Sequence, residues 1–398
     1  MPKRDTPIWR KPQHYMDVKD PKHQVNWVEL FFDLVHVVTI FMLGTFLAQN
    51  LDMQGFWIFT AIFVAIFFAW ADSSVYNALY ISTDLTHRTI MAFQSVTMMV
   101  IAASIPDILS SGWVFFALGF ATNRALLALL YWRAKAVGAE QTCLAGEQSR
   151  NFALLAVWFA ITAFLPTPFA FWMFVVGLAL IQLQYMLPRV GTLRYERFVP
   201  HLHHISERFG LLMLILIGEG FFKLVLTLSN RGIGEVGGDT IVNFVMGGLT
   251  LFALAWVYFD CVGNAVPKSK NRSVLVAYWL AHLVIMWSAI MVSVALSGEV
   301  YVGFFESYPL DYGFLGVVGL LIFIATLWPL QRLVEGRDYT RSFHTLWVRV
   351  FGCAVAFALL FIFPFVPAIV SNSLWSIALF SQIVIPLLKA FRVEVKAT

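Results

Sequence analysis

Charge is what this 398-residue chain has least of: Asp, Glu, Lys and Arg together make up 13% of it. A soluble domain carries about 25%. So little charge cannot coat a globule, which argues against a water-soluble enzyme, a disordered chain or a nucleic-acid-binding protein. The net charge of +4 adds no basic face, because the positive residues are scattered among short loops. Cysteine is scarce too. Three cysteines build no disulfide framework, and Cys261 and Cys353 sit inside apolar runs. No signal peptide is expected, since the first 26 residues are polar and carry Lys3, Arg4, Arg10, Lys11, Lys19 and Lys22. A P-loop, a dinucleotide fingerprint, a nucleophile elbow, a c-type haem motif and any nucleic-acid module are likewise missing.

What is abundant is apolar sequence: 60% of residues are hydrophobic, 16% are aromatic and the mean hydropathy is +0.76. Crossing a bilayer core takes about 20 apolar residues in a helix. That ruler finds twelve spans, at 27–49, 56–80, 89–109, 113–132, 151–165, 168–187, 204–228, 241–263, 273–297, 312–331, 343–363 and 373–391. The expected fold is an all-α polytopic membrane protein. The fifth span is short, and only Pro166, Thr167 and Pro168 part it from the sixth, so the pair reads as a tight hairpin or as one broken helix. Many of the 38 phenylalanines, and many tryptophans, read as lipid-facing bulk and interface anchors.

Basic residues fix an orientation. Six lie in the amino tail, Arg88 in the second loop, and three in each of the other even loops and the carboxyl tail. The odd loops hold only Arg231, a ratio of 22 to 1. By the positive-inside rule both termini are cytoplasmic, and the expected location is the cytoplasmic (inner) membrane. A weak internal repeat is also visible. Glu29 and Asp33 open the first span as Glu207 opens the seventh. Ala69-Trp70-Ala71-Asp72 in the second span matches Ala255-Trp256-Val257-Tyr258-Phe259-Asp260 in the eighth. This divides the chain into a polar tail (1–26), a first six-helix repeat (27–190) and a second (191–398). An even number of spans per half makes the repeats parallel.

The candidate functional residues are charges inside spans. A central Asp, Lys or Arg costs about 2.5–3.5 kcal/mol to insert, so each must pair, shed its charge or line water. Glu29, Asp33 and His36 follow i, i+4, i+7 spacing and share roughly 60° of one helix face. Two carboxylates one turn apart suit a proton site or a cation ligand set, while His36 alone suits a core histidine bonded to a carbonyl. On the seventh span Glu219 and Lys223 are spaced to satisfy each other, with Gly218 and Gly220 allowing a close helix approach. Glu207 and Arg208 lie nearer its cytoplasmic end. His203, His204 and Glu207 form a weak metal-ligand set lacking HExxH or a cysteine partner. Arg124 is the natural counter-charge for a carboxylate on the first or second span. Glu29, Asp33, Asp72, Glu207, Glu219 and Asp260 outnumber Arg124, Arg208 and Lys223 by six to three. The surplus acids are expected to hold a proton or a monovalent cation, and no other cofactor is expected.

The segments Trp27-Val-Glu29-Leu-Phe-Phe-Asp33-Leu-Val35 and His204-Ile-Ser-Glu207-Arg-Phe-Gly210-Leu, with Ile217-Gly-Glu219 beyond, resemble the bacterial low temperature requirement A (LtrA) family. The resemblance runs from about Asn26 onwards and includes the aromatic approach to Asp260. It implies a multi-pass membrane protein named for a cold-growth phenotype, and it brings no activity with it. It adds weight to Glu29, Asp33, Glu207, Arg208, Glu219 and Asp260 as site positions. The function expected from the residues is a secondary transporter or ion-coupled permease acting on a small molecule or ion within the lipid bilayer. The alternatives are a membrane-embedded enzyme or cofactor-binding protein centred on His201–Glu207, and a channel formed by oligomerisation.

Overall fold

Lipid offers the backbone no hydrogen-bond partners, so long apolar runs close their peptide groups on themselves as helices. The computed structural model describes residues 7–18, 25–135, 139–186, 193, 195–336 and 343–397, and within them the runs form twelve α-helices. They are α1 (Trp27–Gln49), α2 (Met53–Leu79), α3 (Leu85–Ser104), α4 (Gly112–Ala134), α5 (Ala139–Thr162) and α6 (Thr167–Met186), then α7 (Leu202–Arg231), α8 (Gly238–Cys261), α9 (Arg272–Glu299), α10 (Leu310–Leu333), α11 (Phe343–Ile362) and α12 (Ala368–Ala397). Among the described residues nine are long and apolar enough to cross a membrane, namely α1, α2, α4 and α7 to α12. The chain is a polytopic α-helical membrane protein. Several basic residues behind the orientation reading (Lys3, Arg4, Lys19, Lys22, Arg189, Arg194, Arg337 and Arg341) lie outside the described residues.

The three remaining helices are α3, α5 and α6. α3 buries Gln94, Ser95, Thr97 and Ser104, which lower its hydropathy. α6 carries an apolar stretch over Thr167–Leu183 among the described residues. α5 corrects the sequence reading: it begins at Ala139, and the polar stretch Glu147-Gln-Ser-Arg150 is helical. α5 and α6 form a hairpin rather than one broken helix. The Trp158 indole N–H donates to the Met173 carbonyl at 2.9 Å, and Phe159 packs on Phe174 with ring centroids 4.8 Å apart.

The chain divides into two compact units, Met1–Phe46 with Ile58–Arg208, and Leu47–Trp57 with Phe209–Thr398. In the first, α3 packs on α4, α4 on α5 and α5 on α6. Helix α1 wears its apolar face outward: Leu30, Phe31, Leu34 and Val38 are exposed, whereas Glu29, Phe32, Asp33 and His36 are buried. In lipid that is the stable arrangement, because apolar side chains face acyl tails and charges find partners inside. In the second unit α9 packs on α10, α10 on α11 and α11 on α12, and α8 lies against α9 and α12. Gly319 lets α10 approach α9 closely, since a Cβ there would meet the Met291 side chain and the Ser288 carbonyl at 3.0 Å. Buried Arg349 donates to the Gln382 side-chain oxygen at 2.5 Å and to the Cys261 sulfur at 2.7 Å.

Described residues of the amino-terminal segment are not a loose tail. Gln13–His14 (β1) pairs antiparallel with Tyr80–Ile81 (β2), registering Gln13 with Ile81 and His14 with Tyr80. The Leu85 and Thr86 amides donate to the Pro7 and Ile8 carbonyls, and the Tyr15 hydroxyl donates to the Val199 carbonyl at 3.0 Å. Asp84, at the N-cap of α3, secures this end. Its carboxylate accepts from Arg133 at 2.6 Å, from the Ser82 hydroxyl at 2.7 Å and from the Arg10 amide at 3.2 Å. Burial alone would push the Asp84 carboxyl up, but these donors win and hold it below its ordinary value of 3.8. Its ionised form therefore stabilises the fold fully above pH 3.8, and that contribution is lost as pH falls further. Asp84→Asn orphans the buried Arg133 cation and should cost about 3 kcal/mol at pH 7. Thermal unfolding in detergent should show the gap from wild type narrowing below pH 3.8; a gap that does not change with pH would contradict this account.

Candidate functional site

Two buried carboxylates of the first unit converge on Arg208. Its Nη1 donates to Glu29 Oε2 at 2.7 Å and its Nη2 to Asp33 Oδ1 at 2.7 Å, so one guanidinium spans two carboxylates a helical turn apart. The i, i+4 spacing on α1 places both acids on the face turned toward the start of α7. His204, one turn before Arg208, brings Nε2 to 3.0 Å from Glu29 Oε2. The Trp70 indole N–H donates to Asp33 Oδ1 at 2.7 Å. Arg208 Nη2 also reaches the Ser74 hydroxyl at 3.1 Å, while Ser74 donates to the Trp70 carbonyl. All six residues are buried, Asp33 and Arg208 completely. Asp33 Oδ2 makes no hydrogen bond among the described residues.

Two carboxylates against one guanidinium leave one negative charge over. In a low-dielectric interior that charge calls for a proton or a cation. His36, the third member of the α1 face, is occupied locally, its Nδ1–H donating to the Phe32 carbonyl at 2.9 Å.

A second buried pair lies in the same unit. Arg124 Nη1 meets Asp72 Oδ2 at 2.5 Å, and Nη2 donates to the Asn123 side-chain oxygen at 2.8 Å and the Ala69 carbonyl at 3.2 Å. Asn123 is held in turn by a 2.9 Å bond to the Thr97 hydroxyl. In the second unit Lys223 Nζ lies 3.5 Å from Glu219 Oε1, both side chains being buried. Of the two glycines beside Glu219, Gly220 is the one at a close approach. A Cβ there would lie 2.6 Å from the Ser293 hydroxyl oxygen, whereas Gly218 has open space around it.

Three sequence candidates lie elsewhere. Glu207 and His203 are exposed. Asp260 is exposed too and accepts from the Trp256 indole at 2.8 Å, so it is not turned inward as Asp72 is. The set His203, His204 and Glu207 therefore does not converge, because His204 alone is buried and it turns to Glu29. Among the described residues no group of three or more His, Cys, Asp or Glu is placed to hold a metal. Two participants were not singled out for this chemistry from sequence. Trp70 stood in a repeated motif, but an indole gives no sign of which acid it serves. Ser74 gives none at all.

A family model, bacterial low temperature requirement A protein (LtrA), matches residues 24–388. The chain belongs to the LtrA family. No curated protein and no solved structure matches it. The matched region takes in Glu29, Asp33, Asp72, Arg124, Arg208, Glu219 and Lys223, so every buried pair described above lies within the family's extent.

Removing the shared cation has a clear expectation. Arg208→Leu strands two buried carboxylates and should cost about 3–5 kcal/mol. Arg208→Lys should recover only part of that loss, because an ammonium cannot fork across both acids. Unfolding midpoints in detergent measure both, and equal stability of the leucine and wild-type proteins would contradict the bridging role.

Proposed function

We propose that the chain is a secondary transporter, an ion-coupled permease of the cytoplasmic membrane whose coupling centre is the Glu29–Arg208–Asp33–His204 cluster. The observation that carries this reading is the charge imbalance of a buried cluster with one carboxylate oxygen, Asp33 Oδ2, left without a hydrogen bond among the described residues. A group that must gain a proton or cation when closed, and can lose it when water enters, is what alternating access couples to.

The proposed frame has twelve spans in two parallel six-helix halves, 27–190 and 191–398, with both termini cytoplasmic. Supporting it, the packing order α3–α4–α5–α6 recurs as α9–α10–α11–α12, six helices later. The repeat is limited to the helices, since exposed Asp260 does not repeat the burial of Asp72. The enzyme reading has thinner support, because its supposed centre at His201–Glu207 is split between buried and exposed residues.

Asp33→Asn tests the coupling role selectively. It removes one negative charge while leaving Glu29 balanced against Arg208, so the protein should still fold. In proteoliposomes with a lumenal pH dye under imposed cation gradients, the variant should lose coupled proton or cation movement. Unaltered fluxes in both Asp33→Asn and Glu219→Gln, with normal expression, would sink the transporter reading.

Topology is tested separately. Reporters fused after Leu51, Ser110 and Leu310 should lie outside the cytoplasm, and those after Ala136, Ser269 and Thr398 inside it. One fusion on the wrong side breaks the twelve-span frame.

A further inference from the structure

Once the ion pairs are drawn, one buried carboxylate is left without a counter-charge, and it belongs to none of the clusters above. Glu299, the last residue of α9, is 5% exposed, and its carboxylate makes neither an ion pair nor a hydrogen bond among the described residues. It lines a cavity of about 20 Å³ in the second unit, together with Asn243 and Thr250 of α8, Tyr308 of the α9–α10 link, and Asn372 and Ser376 of α12. That volume admits a water-sized occupant.

The lining faces Glu299 with acceptors. The Asn243 amide donates to the Val302 carbonyl at 2.7 Å, and the Thr250 hydroxyl donates to the Met246 carbonyl at 2.8 Å. The Tyr308 hydroxyl donates to the Asn372 side-chain oxygen, and the Asn372 amide reaches the Asn243 side-chain oxygen at 3.4 Å. With these hydrogens committed, the side-chain oxygens of Asn243, Thr250, Tyr308 and Asn372 keep lone pairs for an occupant, as does the Ser376 hydroxyl, beside one carboxylate. Uncharged oxygens around a carboxylate select a hard cation. A single negative charge balances a single positive one, and the volume excludes a hydrated ion.

We propose that Glu299, with Asn243, Thr250, Tyr308 and Asn372, binds one dehydrated monovalent cation of about the size of Na⁺. The site shares no residue with the Arg208 cluster. Binding is read at equilibrium without transport, so either proposal can fail while the other stands.

The test uses the full-length protein purified in detergent. Thermal unfolding is followed in NaCl, KCl and choline chloride at equal ionic strength, and binding of radiolabelled Na⁺ is measured directly. Wild type should show a midpoint that climbs with each tenfold rise in Na⁺ but not in choline, together with saturable Na⁺ binding. Glu299→Gln should lose both. Should Glu299→Gln fail to fold, Tyr308→Phe and Thr250→Val each remove one ligand oxygen at nearly constant shape and should weaken Na⁺ binding without abolishing it. A midpoint equal in all three salts would mean that Glu299 carries only a proton, and it overturns the proposal. So does Na⁺ binding that is unchanged in Glu299→Gln, or in both milder variants.

Discussion

Arg208 holds the first unit's polar interior together because, among the described residues, it is the only positive side chain hydrogen-bonded there to both acids of α1. Water cannot screen a buried charge, so each carboxylate that α1 turns inward must be met by a donor at a fixed place. A planar guanidinium with two forked N–H groups meets both at once, and only if α7 presents it at the level of the gap between Glu29 and Asp33. Trp70 and Ser74 of α2 complete the shell from a third side. The register of three helices is thereby set by hydrogen bonds, while the apolar packing around them is more tolerant of sliding.

The same principle governs the smaller pairs with different results. Asp72 and Arg124 form a balanced pair whose guanidinium also has the Asn123 and Ala69 oxygens to bond. Glu219 and Lys223 are on one helix at 3.5 Å, a looser contact than the 2.5 Å of Asp72 and Arg124. Asp84 and Arg133 close the end of the bundle over which the amino-terminal segment lies, and there β1, Arg10 and Trp9 gather around them. The Arg133 guanidinium stacks 4.6 Å from the Trp9 ring centre.

The helices were legible in the sequence because lipid demands about twenty apolar residues per crossing, and runs of that length are hard to mistake. Their ends were less so. α5 continues into polar residues that a hydropathy ruler cuts off, and the amino-terminal strand is too short and polar to register. On the site, spacing was enough to put Glu29, Asp33 and His36 on one face, since 3.6 residues per turn is a property of the helix itself. Which acids are buried was not legible. Glu207 sits beside Arg208 in sequence yet is exposed, and Asp260 occupies a motif like that of Asp72 but lies at the surface. Glu299 was hidden by its position at the end of a span, where a carboxylate ordinarily meets the headgroup region and attracts no notice.

The Asp72–Arg124 pair also constrains how the protein is made. An arginine near the middle of α4 enters lipid at a cost of about 2.5–3.5 kcal/mol if it arrives alone. Its partner lies on α2, synthesised some fifty residues earlier. Helix α4 therefore leaves the insertion machinery most easily while α2 is still beside it, with the aspartate waiting. The hairpin formed by α3 and α4 returns the chain to that neighbourhood in time. On this view the ion pair acts during biogenesis as well as in the finished fold, by holding early helices near the exit until their charge is matched.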